Sequence, residues 1–148
     1  KILRTFPEAR GTGFDISRYS IAFTRRLLEA YGLADHYAFV HGNVFTTPML
    51  WGTADFVVSQ EVLEHLEEPQ RFCRILYDLL KPGGRAYITA AINAGLSDHI
   101  YLFRSSEEVR SMLVDVGWSI LKARAEYAYE GVPIEVTPCV AAFLCTRA

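Results

Sequence analysis

An α/β fold built on a largely parallel sheet is predicted by three observations in this 148-residue chain. Strand-like and helix-like stretches alternate from the first residues to about residue 117, the pattern of parallel strands joined by crossover helices. The strand-like stretches run out into ends that in an open parallel sheet face the ligand crevice: Asp15-Ile16, then Gly42-Asn43-Val44, then Gln60-Glu61 with Glu64-His65, then Asn93 to His99. From Trp118 the pattern changes to two long β-like segments, about 119–129 and 136–146, with no helix between them. Such neighbours pair antiparallel most simply. The expectation is a single domain over residues 1–148, with a parallel sheet finished by an antiparallel edge strand.

Residues 1–6 read as the last turn of a helix stopped by Pro7, and a strand follows from Gly11 to Asp15. Counting G-x-G-x-x-G from Gly11 lands on Ile16, so the Gly11/Gly13 pair is not a dinucleotide fingerprint. These glycines are expected to keep the strand slim beside a ligand. Ser17 is placed to cap a helix from about Arg18 to Tyr31, whose Phe23, Leu27, Leu28 and Tyr31 give it an apolar side before Gly32 stops it. The next strand is Tyr37 to His41.

The run ADFVVSQ has the β-branched, apolar character of a strand covered on both faces. Pro69 opens a helix with Phe72, Ile75, Leu76, Leu79 and Leu80 on one side; Lys81-Pro82-Gly83-Gly84 ends it, and RAYITAAI is the following strand. Ser105 with Glu108 forms a capping box for a helix running through Val109, Met112, Leu113 and Val116 to Gly117.

A net charge of −2 and a pI near 6.1 leave no broad basic surface, Arg25 and Arg26 being the nearest to a cluster. A nucleic-acid partner is therefore not expected. Cys73, Cys139 and Cys145 are odd in number, lack C-x-x-C spacing and sit among apolar neighbours, which fits buried thiols in a reducing, cytoplasmic setting. The longest apolar run, Cys139 to Cys145, is far shorter than the roughly 18 residues of a membrane span. The N-terminal residues do not have the pattern of a signal peptide. As an edge strand, that apolar run would be free to pair with another chain, and oligomeric state is otherwise not readable.

Taken in order, GFDIS, GNVF, SQEVLEHLEEP and LKPGGRAYIT resemble the class I S-adenosylmethionine-dependent methyltransferases over essentially the whole chain. The resemblance implies a Rossmann-like sheet whose first strand and glycine-rich loop would lie upstream of residue 1. It implies S-adenosylmethionine as cofactor, with Asp15 accepting from the ribose hydroxyls and Ile16 against the adenine. Asn43 stands where the family usually has an Asp, able to accept from the adenine amino group without charge. Val44, Gln60 and Glu61 complete the implied cofactor-binding set.

The implied activity is methyl transfer to an oxygen or nitrogen of a small-molecule acceptor. Where the acceptor needs a base, His99 and His65 are the candidates, because a histidine titrates near neutral pH. Tyr101, Phe103 and Arg104 either line an acceptor pocket or pin a surface loop, while His36 and His41 are expected to be solvent-facing or structural. Glu61, Glu64 and His65 have i, i+3, i+4 spacing, so one helical turn would point them the same way. With His99 they resemble the metal site of small-RNA terminal 2′-O-methyltransferases, and the same E-x-x-E-H string occurs in ubiquinone-pathway O-methyltransferases. Carboxylates at the start of a loop are usually solvated, and no bound metal is expected. Two alternatives stay open: a metal-dependent RNA 2′-O-methyltransferase, against which the lack of a basic surface counts, and a non-catalytic partner or cofactor-binding protein with this fold.

Overall fold

The computed structural model describes residues 2–133 and 137–148. Lys1 and Val136, where a helix turn and a strand were expected to begin, lie outside them. The chain divides into two units, residues 1–48 and 49–148, each with its own sheet.

The first unit contains a short helix α1 (Ile2–Thr5), strand β1 (Gly11–Asp15), helix α2 (Arg18–Ala30) and strand β2 (Tyr37–His41). The strands pair in parallel from Gly11 opposite Tyr37 to Asp15 opposite His41, which sets the two polar strand tips side by side. A Cβ on Gly13 would come within 2.7 Å of the Tyr37 ring, and one on Gly11 would collide with the same ring. The two glycines therefore make room for Tyr37 rather than for a ligand. Helix α2 is capped as expected, with the Ser20 N–H donating to Ser17 Oγ at 3.2 Å, and the chain turns at Gly32 with φ of 65°. Its apolar side is not buried: Phe23, Leu27 and Tyr31 are exposed, and no residue of α2 is buried. A two-stranded ribbon is too narrow to cover the whole stripe.

The second unit holds β3 (Ala54–Ser59), α3 (Pro69–Leu79), β4 (Leu80–Ile92), α4 (Ser106–Val116), β5 (Trp118–Tyr127) and β6 (Cys139–Arg147), with strand order β3-β4-β6-β5. Strands β3 and β4 are parallel, and β6 runs antiparallel to both β4 and β5. The last strand is thus interior and β5 takes the edge, which corrects the expected edge strand. Cys139, Ala141, Phe143 and Cys145 alternate into the core along β6, so its apolar run is already covered and paired. Conversely, β3 is an edge strand with Phe56 and Val58 exposed, not a strand covered on both faces.

Helix α3 ends one residue earlier than its apolar spacing predicts. Leu80 is fully buried, but as the first residue of β4, and LKPGG is absorbed as an irregularity between the Ala54–Leu80 and Phe56–Arg85 pairs. Gly83, with φ of 75°, supplies the left-handed residue there. Around β4 the core gathers Leu63, Ile88, Phe103, Val109, Leu113 and Phe143, each no more than 1% exposed. Burial pushes the Cys73 and Cys145 thiols up to about 12, so both stay neutral and unreactive. Among the described residues no helix is long and apolar enough to cross a membrane.

The C-terminal end of α3 carries carbonyls with no partner inside the helix. Arg147, next to last in the chain, covers them: its Nη1 donates to the carbonyls of Leu80 at 2.6 Å and of Tyr77 and Asp78 at 3.3 Å. Its guanidinium also stacks over the Tyr77 ring at 5.0 Å. Arg147→Ala should cost about 1.5–3 kcal/mol in urea denaturation, the worth of hydrogen bonds to a charged group. Arg147→Lys should restore only part of it, because an ammonium lacks the planar fork; a loss within error of zero for the alanine variant would remove Arg147 from this role.

Candidate functional site

The sequence-predicted residues fall into two groups, one in each unit. In the first, Asp15 closes β1 and its Oδ1 accepts the Ser17 N–H at 2.7 Å, an Asx turn into α2. The other carboxylate oxygen has no partner among the described residues. The Gly42 N–H donates to the Asp15 carbonyl at 3.0 Å, carrying the β1–β2 pairing one step beyond the strand ends. Asn43 follows, exposed, its Oδ1 accepting the Phe45 N–H at 2.9 Å, with Val44 half-buried beside it. Ile16 is 70% exposed. His41, exposed, and His36, half-buried, engage backbone carbonyls, of Ile16 at 3.0 Å and Ala9 at 3.4 Å.

The second group forms where β3 and β4 end. Gln60 and Glu61 are exposed, and Glu61 is held at φ of 51°, a left-handed conformation that costs a branched or long residue about 1–3 kcal/mol. Thr89, buried on β4, holds it there: its Oγ1 accepts the Glu61 N–H at 3.1 Å and donates to Glu61 Oε1 at 2.7 Å. Asn93, at the end of β4, has φ of 52°, and its N–H donates to the Phe103 carbonyl at 2.9 Å. Both strand ends thus leave the sheet through left-handed residues.

The predicted single turn carrying Glu61, Glu64 and His65 together does not form. Only Leu63–His65 is helical, as one tight 3₁₀ turn, and the backbone reversal at Glu61 sends its carboxylate to Thr89 instead. His99 does join Glu64 and His65: one ligand atom from each lies within 4.8 Å of the others. The loop carrying His99 is docked by backbone, with the Ile100 and Tyr101 N–H groups donating to the Glu64 carbonyl at 2.8 and 2.9 Å.

The two imidazoles meet edge to face, centroids 4.9 Å apart. Each turns Nδ1 to a carbonyl, His65 to Asp98 at 2.9 Å and His99 to Ala94 at 2.6 Å. A carbonyl only accepts, so the neutral rings carry their proton on Nδ1 and keep a lone pair on Nε2. The Asp98 carboxylate lies 3.7 Å from His65 Nδ1.

Glu64 is 1% exposed, and neither carboxylate oxygen meets a hydrogen-bond partner in acceptable geometry. Desolvation raises its pKa and the neighbouring Glu61 charge adds to the rise, while its own N–H, His65 and the Ala91 N–H act to lower it. Of the aromatic loop, Phe103 is core, while Tyr101 donates to Glu108 Oε1 at 3.1 Å and lines a groove of about 690 Å³ with Glu67, Glu68, Arg71 and Asp115. Glu108 also accepts the Arg104 N–H at 2.8 Å, so its half of the capping box closes one residue before Ser105, whose Oγ accepts the Glu108 N–H at 3.2 Å.

Among the residues that hold the candidate site, Thr89 is the one that sequence reasoning misses. A lone Thr inside an apolar strand carries no spacing signal. Thr89→Val keeps shape but strips the hydroxyl that fixes Glu61, and should cost about 1–2 kcal/mol. Thr89→Ser should restore most of that in the same denaturation measurement; equal loss in both variants would mean that Thr89 acts through packing alone.

A family model described as a methyltransferase domain matches residues 1–88. An uncharacterized protein of Synechococcus sp. is 30% identical over 92 residues, 62% of this chain, which spans 22% of that relative's length. Among solved structures, the cyclase SpnF superposes with a TM-score of 0.80 at 15% identity, over 99% of this chain and 70% of that one. The geranyl diphosphate C-methyltransferase of Streptomyces coelicolor A3(2) gives 0.78 at 13%, over 99% and 65%. A geranyl diphosphate methyltransferase in complex with S-adenosylmethionine gives 0.77 at 13%, over 99% and 73%. These structures share the fold and, at such identities, the fold alone. With more than half its length matched by the family model, the chain belongs to the methyltransferase domain family, on a class I methyltransferase fold.

Proposed function

We propose that the chain supplies the cofactor-binding and acceptor-facing residues of an S-adenosylmethionine-dependent methyltransferase acting on an oxygen or nitrogen of a small molecule. The observation that carries this reading is the tip of β1: Asp15, preset by the Ser17 N–H on one oxygen, keeps its other oxygen for a diol. A ribose offers two adjacent hydroxyls to such a carboxylate. Asn43 Oδ1 is already bonded to the Phe45 N–H but retains a second lone pair for an adenine amino group. Ile16, largely exposed, is an apolar surface for a purine face, and Val44, Gln60 and Glu61 are the remaining residues assigned to the cofactor.

Methyl transfer from a sulfonium is an in-line displacement, so the cofactor brings the reactive carbon and the protein aligns the acceptor and manages its proton. His99 and His65, each with Nδ1 fixed on a carbonyl, present the Nε2 lone pairs for that proton. The reading places a further parallel strand and its glycine-rich loop against the free edge of β3, where Phe56 and Val58 are exposed. The net charge of −2 counts against a polyanionic RNA acceptor.

Calorimetric titration of S-adenosylhomocysteine into the full natural protein tests the assignment. Asp15→Ala should weaken binding by about 1–3 kcal/mol, and Asp15→Asn, which keeps an oxygen for Ser17, should weaken it too because the charge is gone. His99→Ala should leave that affinity nearly unchanged and lower turnover by roughly two to four orders of magnitude once an acceptor is found. Full-strength binding to both Asp15 variants would refute the cofactor site, and a His99 effect confined to cofactor affinity would refute its place at the acceptor.

A further inference from the structure

Helix α2 has two apolar sides, and its own sheet uses one of them. Ile21, Thr24 and Leu28 are half-buried on the side that packs against β1 and β2. At about 100° per residue, Phe23 stands roughly 160° around the helix from Ile21 and 140° from Leu28, which puts it on the outer side. Tyr19 and Leu27, four residues to either side, share that outer face. All three are exposed, Tyr19 to 80% and Phe23 to 69%. A strand added to this sheet would lie under Ile21 and Leu28 and leave the outer face as it is. Contiguous exposed apolar residues of this kind mark contact sites.

The charges around the patch say what it contacts. Arg26 stands about 60° from Phe23 on its rim, with Arg18 and Arg25 farther round the same flank and Glu29 as the one acid of the helix. The complementary surface is in the second unit, where a groove of about 690 Å³ runs between the start of α3 and α4. Tyr101 and Met112 give it apolar wall, and Glu67, Glu68, Glu108 and Asp115 ring it. Glu68 pairs with Arg71, and Glu108 holds Tyr101 and the Arg104 N–H. Glu67 and Asp115, both exposed, have no such partner among the described residues. The asymmetry extends to the whole units: six basic and four acidic residues in 1–48 leave +2, while nine and thirteen in 49–148 leave −4. Like units of two copies repel and unlike units attract.

We propose that the Tyr19, Phe23 and Leu27 face of α2 docks in the groove between α3 and α4 of a second copy of this chain, with Arg26 meeting Glu67 or Asp115. A helix laid by its i, i+4 apolar residues into a groove is a recurring recognition mode, and Tyr, Phe, Met and Arg are the residue types that interfaces concentrate. Patch and groove are different surfaces, so the contact is heterologous and either closes into a ring or extends as a chain. It stands apart from the methyltransferase reading, because Phe23, Arg26, Glu67 and Asp115 are assigned neither to the cofactor nor to the acceptor.

Sedimentation velocity of the full natural protein over a concentration series tests the contact. The wild type should associate, and less so as salt is raised, because the charges are exposed. Phe23→Ser with Leu27→Ser spoils the α2 face alone and should weaken association by about 30-fold or more, as loss of central interface side chains does. Glu67→Lys with Asp115→Lys spoils the groove alone and should weaken it comparably. Both variants change exposed side chains and should keep the wild-type Tm, so that lost association is not lost folding.

Mixed one to one, the two variants should recover a dimer and stop there. The intact α2 face of the groove variant then meets the intact groove of the other chain, and neither has a second complete pair of surfaces. A wild type that stays monomeric at every concentration, its α2 face covered by another part of its own chain, would overturn the proposal. So would a groove variant that associates like the wild type, as a contact between two α2 helices would, or a mixture that remains monomeric.

Discussion

Strand β4 is the constraint on which the second unit depends. It is paired on both edges, parallel to β3 and antiparallel to β6, and it is buried along most of its length. Its C-terminal end fixes both strand-end loops. Thr89 reaches across to hold Glu61, and Asn93 binds Phe103, closing the loop that carries His99. Once those two ends are set, the Glu64 carbonyl can take the Ile100 and Tyr101 N–H groups, and the two histidines meet.

Support for β4 comes in turn from the far end of the chain. Arg147, at the end of β6, caps the carbonyls where α3 turns into β4, and Trp118 Nε1, at the start of β5, donates to the Cys73 carbonyl on α3 at 3.3 Å. The antiparallel β5–β6 pair therefore does more than extend the sheet. It ties the helix preceding β4 to the strands beside it, so that the polar residues at the opposite end of β4 emerge from a fixed frame. In open α/β sheets ligands bind beyond that carboxyl end of the strands.

Much of this was legible in the residues. Alternating element signals, the Ser17 and Ser105 caps, and the glycine stops at Gly32 and Gly117 mark local structure, and local structure is written in local sequence. The placement of β6 between β4 and β5 was not legible, because an alternating apolar strand looks the same at an edge as inside, and only pairing decides. The Glu61 misreading has a similar cause. Spacing predicts a shared face only if the turn is helical throughout, and a residue at positive φ breaks the count. The role of Gly11 and Gly13 lay in a partner distant in sequence, Tyr37, which no motif around the glycines announces. Histidine pairing across residues 65 and 99 was suggested by resemblance, yet its geometry rests on backbone bonds that composition does not encode.

The central claim is that the strand-end loops are an integral part of the β4 frame rather than surface loops that happen to carry histidines. Native-state hydrogen exchange measures this directly. The amides of Asn93, Ile100 and Tyr101, all donors across the two loops, should open with free energies close to those of Ile88 and Ala90 in β4. Exchange of these three at the rate of a free loop, with β4 still protected, would contradict the account.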